Sequence, residues 1–137
     1  MKNAGVNAAV SQDITSDLWR KFIFICAFSG MTALCRSPIG KILADPTAAK
    51  CLEASVKEGV EIARALKVNL AENTFDDVMG ITRSFPYGSK SSLLVDVENG
   101  RRTEIDSLSG GLVRLAHEHH VNAPVHEVIY SGIKLLS

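Results

Sequence analysis

Apolar side chains crowd residues 22–34, and no charged residue stands among them. A helix through this run is apolar on every face, the pattern of a central helix wrapped by protein. Ser16 or Asp17 can cap its start, so the pattern predicts a helix from near Asp17 to Leu34 or Cys35. Ser29-Gly30 marks a close helix contact or a kink within it, and Ser37-Pro38 ends it. Residues 39–43 read as a short helix or a turn. Asp45-Pro46 opens the next helix, with Asp as N-cap and Pro at the first helical position, and it reaches about Lys67. Ala48, Leu52, Val56, Val60 and Ala63 line one face of it, while Lys50, Glu53, Lys57, Glu61 and Arg64 fall elsewhere. Residues 72–84 form another helix, with Phe75, Val78, Met79 and Ile81 inward. The 85–89 stretch, Phe-Pro-Tyr-Gly-Ser, is a turn.

Residues 91–98 fit a helix or a strand; their helical surroundings select helix. Thr103 and Asp106 resemble a capping box that opens a helix bearing Ile105, Leu108, Leu112 and Leu115. Gly110-Gly111 inside that helix costs about 1 kcal/mol per glycine relative to alanine, which points to a backbone packed closely there. Pro124 starts a last helix to about Leu136. Residues 1–14 are small and polar, with weak alternation at Val6, Ala8 and Val10, and read as one short strand or a loose arm. The prediction is an all-α bundle of five or six helices without a sheet. It divides into an arm over 1–13 and a helical domain over 14–137.

A chain of 137 residues suffices for one core, and its composition, 46% hydrophobic and 22% charged, is that of a globular protein. Fifteen basic and fifteen acidic residues balance, so no basic surplus favours nucleic acid or an anionic membrane. The 22–34 run is shorter than the roughly 20 residues a membrane span needs. The N-terminus lacks the apolar core of a signal peptide. Cys26, Cys35 and Cys51 have no CxxC spacing and read as buried free thiols in a reducing cytoplasm.

Four groups of residues could carry chemistry. Lys21 stands at the mouth of the apolar helix, beside Trp19, Phe22 and Phe24. Partial desolvation there would suit an amine to proton donation, although position alone favours the simpler reading, the last polar residue of an exposed first turn. Glu104 follows Arg101-Arg102-Thr103 and also suits a helix first turn. Ser91 and Ser92 can hold a carboxylate at a helix start, or merely cap it. His117-Glu118-His119-His120 lacks HExxH spacing and gives no metal site, and His126 has no evident partner. No GxGxxG or GxxxxGK[ST] cradle is present.

Taken together, Leu18-Trp19-Arg20-Lys21-Phe22, Lys90-Ser91-Ser92-Leu93-Leu94-Val95-Asp96 and Arg102-Thr103-Glu104-Ile105-Asp106 resemble the ketopantoate reductase (2-dehydropantoate 2-reductase) family. Gly110, Gly111 and Pro124-Val125-His126-Glu127 extend the likeness over about residues 14–136. The resemblance is to the family's C-terminal half only. The stretch Ala4-Gly5-Val6-Asn7-Ala8-Ala9-Val10-Ser11 is similar to the segment that closes the family's NADPH-binding domain, so the chain resembles an excised or separately encoded substrate domain.

The resemblance implies that Lys21 gives a proton to the ketone oxygen of a small 2-keto acid as hydride arrives from NADPH. It implies that Glu104 bonds the substrate hydroxyl and orients the lysine, and that Ser92 binds the carboxylate, with Ser91 and Ser29 as neighbours in the site. It places the complete enzyme in the cytoplasm, on the route to pantothenate and coenzyme A. The family often carries asparagines four and eight residues after the lysine; here those positions are Ile25 and Ser29, a less polar wall that puts ketopantoate itself in question. The chain alone, without the NADPH domain, is expected to be inactive. The alternatives are a non-catalytic helical module that dimerises through an exposed apolar patch, and a reductase of a different 2-keto acid. A substrate domain of another hydroxyacid dehydrogenase fits the 102–106 motif less well.

Overall fold

The structure, a computed structural model, describes the backbone of residues 4–136 and the side chains of residues 14–136. Seven helices and no strand stand among the described residues: α1 (Ala4–Cys35), α2 (Ile39–Ala44), α3 (Pro46–Ala65), α4 (Thr74–Ser84), α5 (Ser92–Glu98), α6 (Ser109–Glu118) and α7 (Pro124–Lys134). The all-α bundle is therefore as the pattern indicates. The seventh helix is the short α2, which the sequence left between helix and turn.

Helix α1 is the axis, and α2 to α7 all pack on it. Ile23, Ala27, Phe28, Met31 and Ala33 enter the main core with Leu52, Val56, Val78, Leu94 and Ile129. A second cluster joins Cys26 to Ile62, Leu112 and Ala116, flanked by Trp19, Phe22 and Leu108. The segment Ile14–Cys35 is long and apolar enough to cross a membrane, but half of it is buried inside the protein. Burial against the six other helices accounts for its apolar character without lipid. Gly30 lets α1 and α7 approach: a Cβ there would lie 2.8 Å from Ile129 Cγ2.

Four helices end alike. Arg36, Lys67, Gly100 and His120 adopt left-handed backbone, and the next residue's N–H returns to the carbonyl five positions back: Ser37 to Thr32, Val68 to Ala63, Arg101 to Asp96 and Val121 to Ala116. This closure satisfies helix-end carbonyls, and the cationic residues Arg36 and Lys67 suit the negative end of the dipole. Asp45 caps α3 as the sequence suggests, its carboxylate accepting from Ala48 N at 2.8 Å.

Four expectations are corrected. The backbone from Ala4 to Asp13 is helical and continues α1, so there is no strand there and the helix does not start at Asp17. The alternating side chains Val6, Ala8 and Val10 lie outside the described side chains, and residues 1–3 lie outside the described backbone. Thr103 opens no helix: residues 101–108 form a loop, α6 starts at Ser109, and Thr103 Oγ1 is buried with no hydrogen-bond partner among the described residues. Buried Ile105 anchors that loop, and its carbonyl accepts from Leu108 and Gly110 before the helix can begin. What approaches Gly110 is the Tyr130 ring, 2.8 Å from where a Cβ would sit, together with the carbonyl of Ile105 at 3.2 Å. Of the three free cysteines only Cys26 is buried; Cys35 and Cys51 are exposed.

Candidate functional site

Lys21, Ile25, Ser29 and Thr32 recur at four- and three-residue steps and share one face of α1. Along that face exposure falls away. Lys21 is exposed, Ile25 is 42% exposed, and Ser29 and Thr32 are buried. Thr32 marks where α5 lands. Its hydroxyl donates to Phe28 O at 2.8 Å, which leaves its oxygen to accept from Ser91 Oγ at 2.6 Å. Ser91 Oγ in turn accepts from Leu94 N at 3.0 Å. Ser91 is thus both the N-cap of α5 and its bolt to α1. Ser92, the first residue of α5, is exposed.

On the next side of α1, Phe22 and Cys26 meet Leu108 and Leu112 from the start of α6. The stripe from Lys21 to Ser29 therefore lies between the α5 side and the α6 side of α1. The 101–108 loop, which joins those two helices, carries Glu104, and Glu104 is exposed. Asp106 ties this loop to α7 and α6, accepting from Tyr130 Oη at 2.6 Å through its carboxylate and from Arg114 Nη2 at 2.9 Å through its carbonyl. The carboxylate beside the Tyr130 hydroxyl pushes that phenol's pKa up.

No hydrogen bond or ion pair joins Lys21, Ser92 and Glu104 to one another. None of their side chains makes an ion pair or hydrogen bond among the described residues. Lys21 also lacks the covering its aromatic neighbours promised, because Trp19 and Phe22 turn toward the core and stack edge-on at 5.6 Å. Lys21 and Thr32 are three turns apart, about 16 Å along the axis.

The Gly110-Gly111 pair does not fit a dinucleotide. A pyrophosphate needs a glycine-rich turn whose backbone it can approach, and at Gly110 that approach is filled by Tyr130. The 117–120 histidines are exposed, and His117 Nε2 lies 3.4 Å from Glu127 Oε2.

Sequence reasoning missed a buried polar network behind the stripe. Glu58 on α3 accepts from Val125 N at 2.9 Å and from His126 N at 3.0 Å, capping α7 from another helix. The N-cap residue Ala123 offers no side-chain acceptor of its own. His126 is fully buried; its Nε2 faces Ser55 O at 2.9 Å and its Nδ1 faces Ser109 Oγ at 3.1 Å. A carbonyl can only accept, so Nε2 carries the proton and Nδ1 accepts from Ser109. The signal was present in the sequence: a helix opening Ala-Pro has no cap, and its free N–H groups require an acceptor from elsewhere.

The family description Ketopantoate reductase PanE/ApbA C terminal matches residues 13–137. The chain belongs to the ketopantoate reductase family. Within that family it corresponds to the C-terminal, all-helical part. It is 34% identical over 134 residues to an uncharacterized oxidoreductase, YkpB, of Bacillus subtilis, covering 96% of this chain and 44% of that protein. It is 27% identical to the 2-dehydropantoate 2-reductase of Halobacterium salinarum over 131 residues, covering 96% and 43%. Among solved structures it resembles a dimeric ketopantoate reductase from Staphylococcus aureus, with a TM-score of 0.84 at 25% identity over 90% of this chain and 43% of that one. It also resembles the 2-dehydropantoate 2-reductase of Methylococcus capsulatus, with a TM-score of 0.80 at 28% identity over 90% and 42%. The chain spans less than half the length of these ketopantoate reductase relatives.

Proposed function

We propose that this chain is the substrate-binding, proton-donating part of a cytoplasmic NADPH-dependent reductase of 2-oxo acids, of the 2-dehydropantoate 2-reductase type. The observation that carries the reading is the free ammonium of Lys21 on the α1 stripe, in a chain of this family, with the free Ser92 hydroxyl and Glu104 carboxylate on the elements that border the stripe. Reducing a ketone to a secondary alcohol adds a hydride at carbon and a proton at oxygen. These residues supply the second. Ser92, at the open N-terminus of α5, takes the substrate carboxylate, aided by the backbone N–H groups of that first turn. Ser91 fixes α5 in place and Ser29 floors the stripe. The Lys21 ammonium faces the ketone oxygen, stabilises negative charge as the carbonyl electron pair moves onto it, and gives up one proton. The resulting neutral amine regains a proton from solvent. Glu104, on the loop beside the stripe, orients the amine. The hydride donor is held by another part of the enzyme, the N-terminal NADPH-binding domain, to which residues 1–13 lead.

Ketopantoate titrated into the labelled chain is expected to move the amide resonances around Lys21, Ser29, Ser92 and Glu104. Lys21→Ala should weaken binding at least about tenfold, the loss of one charge-assisted contact. The same sample should not oxidise NADPH. Resonance shifts confined to another face, or affinity indifferent to Lys21→Ala, would end this reading.

A second surface favours self-association. Val128 and Leu135 stand exposed on the outer face of α7 beside Leu34. One structural relative is described as dimeric.

A further inference from the structure

We infer that the 2-oxo acid taken at the α1 stripe carries an apolar substituent without a hydroxyl group on its ketone side; this rests on the reading of the stripe given above. The two helices that bear the proposed polar contacts each present an exposed aliphatic side chain one turn away. On α1 it is Ile25, 42% exposed, four residues after Lys21. On α5 it is Val95, 36% exposed, three residues after Ser92. Leu18, 60% exposed, continues the apolar edge on the other side of Lys21. Isolated exposed apolar residues need no explanation, but these flank the two polar ends of one stripe.

Ile25 also lies on the path between Lys21 and Ser29. A substrate reaching the amine while its carboxylate stays near Ser92 must lay its remaining atoms against that side chain. Ile25 has no donor or acceptor. A hydroxyl pressed on it loses water and gains nothing, whereas a methyl group gains contact. The deep end of the stripe does not compensate. The Thr32 and Ser91 hydroxyls are already spent on each other, on Phe28 O and on Leu94 N.

Trimethylpyruvate and ketopantoate differ by a single hydroxyl group and make a matched pair of probes. Titrated separately into this chain, with amide shifts as readout, trimethylpyruvate is expected to bind about tenfold tighter, the size of effect one such group has in an apolar site. Ile25→Asn should invert the order, while Ile25→Val should keep it. Because Ile25 is partly exposed, circular dichroism should show both variants folded. Ketopantoate binding as tightly as trimethylpyruvate to the unaltered chain, in a Lys21-dependent manner, overturns the inference and leaves the proposed function standing. Failure of both acids to bind overturns both.

Discussion

Glu58 and His126 are buried polar residues whose hydrogen bonds offset the cost of their burial. Glu58 is buried, and burial pushes its carboxyl pKa up; the N–H groups of His126 and Val125 pull it back, while Glu127 and Glu61 add repulsion. Burial pushes His126 down from 6.5, against the smaller opposite pull of Ser55 O. The signs oppose. Unfolded His126 takes a proton below about 6.5 and folded His126 does not until lower pH. Its contribution to stability is therefore lost as pH falls from about 6.5 toward its folded value, by up to about 1.4 kcal/mol per pH unit. Glu58, with its folded pKa raised above 4.5, binds a proton earlier when folded, so its contribution grows as pH falls through that raised value. Denaturant titrations at neutral and mildly acidic pH should show the unaltered chain losing more stability on acidification than His126→Gln. Equal losses would show that His126 does not hold a neutral ring in the folded state.

Among the elements, glycines separate two physical situations. Gly40 sits where α2 meets the 85–89 turn, its N–H donating to Tyr87 O at 2.9 Å. A Cβ there would lie 2.6 Å from the backbone Cα of Tyr87, which cannot swing aside. Gly80 in α4 is exposed and has nothing within 4 Å of its Cβ position. Gly40→Ala should destabilise by about 1–3 kcal/mol, and Gly80→Ala should stabilise by about 0.5–1 kcal/mol, both read from denaturant midpoints. Nothing in the sequence distinguishes these glycines, and the reason is general to this fold. Local signals were readable: Asp45-Pro46 as a capped start, Pro124 as a first helical position, the all-round apolar α1. Signals that need a partner far along the chain were not. Glu58 and the backbone it caps are 67 and 68 residues apart, and Ser91 meets Thr32 across 59. The Thr103–Asp106 pair looked like a cap because the spacing is local, but Asp106 is drawn to Tyr130, 24 residues on. At the candidate site the residue types and their spacing were legible, whereas the exposure of Lys21 and the commitment of Ser91 to α1 depend on how helices pack.

At the scale of the whole molecule, equal numbers of acidic and basic residues leave no net charge to keep copies apart. Two hollows on one side share Leu34 and Val128. One runs past Met31, Ala48, Cys51 and Pro124, and the other past Ser131, Gly132 and Leu135. They form a continuous apolar surface between the end of α1, the start of α3 and the outer face of α7, with Val128 61% and Leu135 81% exposed. A patch of that kind on a neutral chain is covered most simply by its own copy. Stable interfaces bury about 1,600 Å² in total, and a surface built on one short helix and the ends of two others sits at the weak end of that scale. The expected outcome is a concentration-dependent dimer in sedimentation velocity runs at micromolar protein. Val128→Lys should return it to monomer without loss of helical signal, since that side chain contributes little to the core. Thiol labelling gives an independent readout, because Cys35 and Cys51 both line the first hollow. Their reaction with a maleimide should slow as the dimer forms and speed up in Val128→Lys. A chain that stays monomeric at high concentration, with labelling rates unchanged, assigns this surface to some other contact.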